Sequence, residues 1–214
     1  MCGRFALSAK TSDIEKLVPG LKNTDNDLKP RYNIAPSQDI AVILNTENDR
    51  LDFIRWGLIP FWAKEKSIGN KMINARSESI AEKPSFKNSF RRRRCIIPAT
   101  GFYEWQKIPG EKKKQPYFVK MKSGGVFAFA GLWDEWEDPG NGKIRSAAII
   151  TTTPNELMEP IHNRMPAILP REFIKAWLSD AVNSEKELLE ALNPYPSDEM
   201  EAYKISKMIN NPKN

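Results

Sequence analysis

The chemistry this chain could perform starts at Met1-Cys2-Gly3-Arg4-Phe5. Removal of Met1, favoured by the small Cys and Gly that follow it, leaves Cys2 with an α-amine and a thiol on adjacent carbons. Such a 1,2-aminothiol condenses with an aldehyde to a Schiff base, and its sulfur then closes a thiazolidine ring on the same carbon. Reference pKa values of ~7.7–8.0 for the amine and ~8.5 for the thiol leave both usable at neutral pH without extreme tuning. The competing reading makes Cys2 a small apolar residue in a terminal strand.

Two further side chains could move protons. Glu104 lies in Gly101-Phe102-Tyr103-Glu104-Trp105, where strand alternation puts it on one face with Phe102 and puts Tyr103 and Trp105 on the other. A carboxylate against apolar surface has a raised pKa and exchanges protons near neutrality; on the opposite face it would be a solvated strand residue. His162 is the sole histidine and has the only unperturbed pKa near neutrality, though a histidine between prolines also suits a structural role. Cys2, Cys95 and His162 lack the C-x-x-C or H-x-x-x-H spacing of a zinc site, and no metal is expected.

The elements that must position these groups are mostly strands. Ile40–Leu44 reads as a buried strand in a hairpin with Leu51–Trp56, and Cys95–Pro98 as a strand cut short by proline. Gln115–Met121, Val126–Trp133 and Arg145–Thr152 are three more, separated by Ser123-Gly124-Gly125 and Pro139-Gly140-Asn141-Gly142 turns. Ser12-Asp13-Ile14-Glu15 has the spacing of a capping box for a helix to about Val18. A short helix is expected from Asn74, a good N-cap residue, to before Pro84. Amphipathic helices are expected at Arg171–Leu178 and Glu185–Leu192, then a strand at Tyr203–Ile205 and a polar end. Trp56–Lys64 packs aromatic residues around Gly and Pro, as core filler or as a stacking surface. Arg91–Arg94 is the densest basic run, either a solvated face or a phosphate-contacting edge.

Length and composition bound the rest. The 214 residues, 40% hydrophobic with six Trp and ten Phe, suffice for one substantial core and argue against disorder. There is no apolar stretch of membrane-spanning length and no signal-peptide pattern, so a cytoplasmic protein with two reduced thiols is expected. A net charge of +6 is compatible with a polyanionic partner and equally with ordinary solubility charge.

Six blocks carry a resemblance. They are Met1–Phe5, Tyr32-Asn33-Ile34-Ala35-Pro36, Trp56-Gly57-Leu58-Ile59-Pro60, Asn74-Ala75-Arg76-Ser77-Glu78, Arg94-Cys95 with Gly101–Trp105, and His162-Asn163-Arg164-Met165-Pro166. In this order they resemble the SOS response-associated peptidase family of abasic-site processing proteins, over residues 1 to at least 169. The resemblance implies an α+β fold, with a mostly antiparallel, barrel-like sheet core flanked by short helices. It implies a single domain over 1–214, with a helical segment at about 170–192 packed on it. It also implies binding of single-stranded DNA and covalent capture of an abasic site by Cys2, with Asn74, Glu104 and His162 around it, and possible autopeptidase and lyase activities.

On that basis His162 is expected to assist opening of the sugar ring. Glu104 would move protons at the Cys2 amine and sulfur, and Asn74 would orient the amine or the sugar. Arg4, Arg76 and Arg164 are assigned to phosphates flanking the lesion. Trp62 and Trp105 are candidates for base stacking, with core packing as the alternative. No cofactor, membrane or obligatory protein partner is expected, and the protein would be nucleoid-associated when bound to DNA. The rival readings are an N-terminal-nucleophile cysteine peptidase or amidohydrolase, and a non-catalytic single-strand binding module.

Overall fold

Continuous apolar runs dominate the middle of the chain, and in the computed structural model they become strands of two sheets. The structure describes residues 2–22, 28–140, 142–179 and 184–212. The strands are β1 (Phe5–Leu7), β2 (Arg31–Ile34), β3 (Asp39–Leu44), β4 (Glu47–Trp56), β5 (Asn74–Arg76), β6 (Arg94–Ala99), β7 (Gly101–Gln106), β8 (Gln115–Met121), β9 (Phe127–Asp138), β10 (Gly142–Thr152), β11 (Met165–Pro166) and β12 (Met200–Lys204). The helices are short: α1 (Thr11–Glu15), α2 (Lys87–Arg92), α3 (Arg171–Trp177) and α4 (Glu185–Glu190).

One sheet closes on itself. Strands β4, β3, β6, β9 and β10 follow one another by antiparallel pairing, and β10 returns to β4 by a parallel contact, Ser146 opposite Arg55 and Ala147 opposite Trp56. So small a ring is filled by its own side chains. Val42, Ile43, Ile96, Ile97, Phe129, Ala148 and Ile149 are fully buried. Cys95 lies here too, its sulfur occupying the space where a Cβ on Gly131 would stand.

The second sheet, in the order β12-β8-β7-β1-β2, is antiparallel throughout. The chain passes from the ring into it at Thr100, between β6 and β7. There the Thr100 N–H and hydroxyl both donate to Ala6 O, and the hydroxyl oxygen accepts from Ser8 N–H. Aromatic rings fill the space between the sheets. Phe5 meets Trp56 and Phe129 edge-on at centroid distances of 5.2 and 5.8 Å, and Phe102 meets Phe129 at 6.0 Å. β1, which follows Cys2, is thereby fixed against the ring.

Four expectations change. Asn74–Ser79 is no helix: Asn74–Arg76 is β5, added parallel to β10, and Ser77–Ser79 is a single 3-10 turn. Burial of Ala75 beside Ile150 outweighs the capping preference of Asn74. At α1, the Asp13 carboxylate accepts from the Lys10 N–H, displacing the expected pairing of Ser12 with Glu15. The strand begun at Cys95 runs through Pro98 to Ala99 instead of stopping at the proline. The arginine run divides. Arg91 and Arg92 are exposed, Arg93 pairs with buried Asp134, and Arg94 is buried with donations to the carbonyls of Phe90, Arg91, Trp177 and Ser179.

Trp56–Lys64 also divides, between its two readings. Trp56, Leu58 and Ile59 are core, whereas Phe61 and Trp62 are exposed. Gly57 makes this path possible. Its φ is +129°, and a Cβ there would lie 2.6 Å from the carbonyl oxygen of Gly69.

Candidate functional site around Cys2

Cys2, just ahead of β1, is fully buried, and its carbonyl accepts a 2.9 Å hydrogen bond from Asn74 Nδ2. Asn74 is the first residue of β5, set by its pairing with Ile149 of β10. A closed sheet therefore supplies the group that holds the start of the second sheet. The other amide atom, Asn74 Oδ1, is buried without a hydrogen-bond partner among the described residues.

Glu104 comes from β7. Alternation holds: Phe102, two residues earlier, pairs with Phe5 and faces the core, and Glu104 is likewise inward at 2% exposure. The solvated reading of this carboxylate is thus overturned. Burial raises its pKa to about 7. Its Oε2 lies 3.9 Å from His162 Nε2.

The ring of His162 has a defined proton. Nδ1 accepts from the backbone N–H of Arg164 at 3.1 Å; a backbone amide can only donate, so the neutral imidazole carries its hydrogen on Nε2, facing Glu104. Burial, first, lowers the pKa of His162. Near pH 7 the Glu104 carboxyl is therefore divided between its protonated and ionised forms beside a neutral imidazole, so it can give a proton to, or take one from, a group bound next to it.

The thiol departs from the expectation of an untuned nucleophile. Burial pushes its pKa far above the ordinary value, and the neighbouring charge of Glu104 adds to the effect. The sulfur rests as a thiol at neutral pH and needs a base to act, and Glu104, titrating near 7, is such a base.

The arginines and tryptophans are placed variously. Arg4 donates from Nη1 to Asn33 Oδ1 at 2.6 Å and to Ile209 O at 3.1 Å, with its guanidinium 5.9 Å from the centre of the Trp105 ring. Trp105 is half-buried and donates its indole N–H to Asn210 Oδ1 at 2.7 Å. Arg164 grips both carboxylate oxygens of Glu78 and donates to Thr151 O. Of the three arginines assigned to phosphates, only Arg76 is exposed. Trp62 stands on a separate loop. That loop is held by Phe61 N–H donating to Asp134 Oδ2, Ile59 N–H to Ser146 Oγ and Trp136 Nε1 to Ala63 O.

The structure therefore brings Cys2, Asn74, Glu104 and His162 together and connects Arg164 to them through His162. Sequence reasoning passed over Asn33, Glu78, Thr151 and Asp134 as contributors. Asn33 and Glu78 lay inside the quoted blocks. Thr151 and Asp134 sit in ordinary strand sequence that marks neither.

Known proteins resemble the chain over nearly all of its length. The chain is 47% identical over 221 residues to the abasic site processing protein YoqW of Bacillus subtilis, covering 100% of this chain and 96% of that protein. It is 33% identical to the abasic site processing protein HMCES of Rattus norvegicus, over 86% of this chain and 63% of that protein. A crystal structure of a protein from Bacteroides thetaiotaomicron superposes with a TM-score of 0.87 at 31% identity, covering 100% of this chain and 97% of that one. The family model described as SOS response associated peptidase (SRAP) matches residues 1–212, and the chain belongs to that family.

Proposed function

We propose that this protein captures abasic sites in single-stranded DNA by forming a thiazolidine between Cys2, freed of Met1, and the aldehyde of the baseless sugar. The observation that carries this reading is the buried grouping itself: Cys2 held by Asn74 at 2.9 Å, with a Glu104 carboxyl titrating near 7 and placed 3.9 Å from His162. The relatives named as abasic site processing proteins support the choice of substrate.

An abasic deoxyribose is mostly a closed hemiacetal. Opening it moves the proton of the anomeric hydroxyl to the ring oxygen. The ionised form of Glu104 can take that proton and pass it on, while His162, its Nδ1 occupied, assists by donating a hydrogen bond from Nε2–H to the sugar oxygen that gains negative charge. The Cys2 amine then adds to the aldehyde carbon to give a carbinolamine. Protonation of its hydroxyl by Glu104 expels water and leaves the C=N bond. Glu104, now ionised, takes the thiol proton as sulfur bonds to the same carbon; the C=N electron pair returns to the iminium nitrogen, which keeps its own hydrogen, and Glu104 ends protonated as it began. The sum is aldehyde plus aminothiol giving thiazolidine plus one water. Asn74 changes no bond and fixes the Cys2 backbone.

The same grouping supports the secondary activities. Hydrolysis of the Met1–Cys2 amide would use the thiol and Glu104 to expose the amine. If sulfur does not close the ring, the Schiff base can lose its C2′ proton and expel the 3′ phosphate, which is lyase chemistry.

Intact mass spectrometry before and after mixing with abasic single-stranded DNA tests the proposal. The expected result is a chain lacking Met1 that gains the mass of the oligonucleotide less one water. A Cys2→Ala protein that formed the same stable adduct would refute the thiazolidine. Salt-reversible binding with no covalent product would leave only a binding module, and turnover of peptides with abasic DNA untouched would favour the amidohydrolase.

A further inference from the structure

We infer that Glu78 is a positioning residue for this site, clamping Arg164 so that the Arg164 backbone N–H holds the His162 ring with its Nε2 hydrogen toward Glu104. The contacts form one chain. Glu78 Oε1 accepts from Arg164 Nη1 and Oε2 from Nη2 at 3.0 Å. Nη2 also donates to Thr151 O at 2.6 Å. Two residues before Arg164 in sequence, His162 Nδ1 accepts its backbone N–H at 3.1 Å. Only 13% of the Arg164 side chain is exposed, against 49% for Glu78, so the clamp holds a largely buried cation from the outside.

The topology shows what the clamp joins. Glu78 lies on the 3-10 turn that follows β5, the strand that presents Asn74, whereas Arg164 directly precedes β11. Both strands flank the end of β10, where Thr151 pairs with Arg76 on one side and Pro166 on the other. The Glu78–Arg164 pair thus bridges the segment carrying Asn74 and the segment carrying His162, with Thr151 between them. Removing a carboxylate that forks onto a planar guanidinium frees the Arg164 side chain to turn, and the turn at 162–164 with it. The hydrogen on Nε2 then loses the backbone donor that selects it.

This inference rests on the capture reading only for its kinetic consequence, because His162 is the sole histidine and reports on itself. In protein labelled with 15N-histidine, every imidazole signal belongs to His162. Wild type should show the Nε2–H form. Glu78→Ala should show a mixture of both tautomers, with covalent capture of abasic single-stranded DNA slowed about tenfold and the half-saturating DNA concentration within about twofold of wild type. Glu78→Gln, which keeps the shape and one acceptor, should fall between them and carries the test if the alanine variant fails to fold. Unchanged imidazole signals in a folded Glu78→Gln or Glu78→Ala protein would overturn the inference. So would tighter DNA binding with an unaltered capture rate, since Glu78 would then merely compete with phosphate for Arg164. If wild type forms no adduct, the capture reading fails and the imidazole spectra alone decide the role of Glu78.

Discussion

Glu104 shows what the interior does to a single residue. Its carboxyl is raised to about 7 by burial, whereas an exposed glutamate titrates near ~4.3. A raised carboxyl means that the folded protein binds a proton the unfolded chain has released. This contribution to stability is present below the unfolded pKa and is lost as pH rises from about 4.3 to about 7. Glu104→Gln removes that loss. At pH 8 the variant should be more stable than wild type by roughly 3–4 kcal/mol, and the difference should shrink toward pH 4, as read from urea midpoints. Under the proposed mechanism the same change deletes the proton carrier. Capture of abasic DNA should slow by at least about a hundredfold, with noncovalent binding little altered. Equal losses in both would make Glu104 a structural residue. The site thus holds a group that weakens the fold above pH 7.

Within elements, the arginine run separates surface charge from internal scaffolding. Arg94 opens β6 and donates to carbonyls at the ends of α2 and α3, so one guanidinium satisfies acceptors that two short helices leave open. Its 2% exposure leaves no water to replace those bonds. Arg94→Ala should therefore lower stability by about 3–5 kcal/mol, because several buried carbonyls lose their charged donor at once and a large buried side chain is removed. Arg92→Ala, at an exposed position, should change stability by less than about 0.5 kcal/mol. Thermal or urea denaturation of the two variants side by side checks the contrast; equal effects would contradict it. Two residues apart in one basic run, they differ because only one meets the free carbonyls of its neighbours.

For the molecule as a whole, the geometry around Cys2 depends on how the two sheets meet. Phe129 of β9 touches Phe5, Phe102 and Phe127, so it braces both the strand after Cys2 and the strand that carries Glu104. Phe129→Ala should cost about 3–5 kcal/mol, because the closed ring cannot collapse into the space left behind. Capture should slow even well below the denaturation midpoint, since Cys2 and Glu104 lose their common support. A variant of reduced stability whose folded fraction reacts at the wild-type rate would show that the site does not depend on this contact.

The local pattern alone determined much of this protein. Continuous apolar runs marked β3, β6 and β10, alternation put Glu104 on one face with Phe102 though only the fold showed that face to be buried, and apolar spacing marked α3 and α4, because these signals depend on neighbours along the chain. Asn74 misled: its capping preference is local, while its strand conformation comes from pairing with β10, about 75 residues away in sequence. Tertiary structure alone decided the parallel closure of β10 on β4, the raised pKa of the Cys2 thiol and the partners of Arg4, Arg94 and Arg164. Those outcomes depend on which distant groups share a region from which water is excluded, and burial and through-space charge leave no mark on the order of residues.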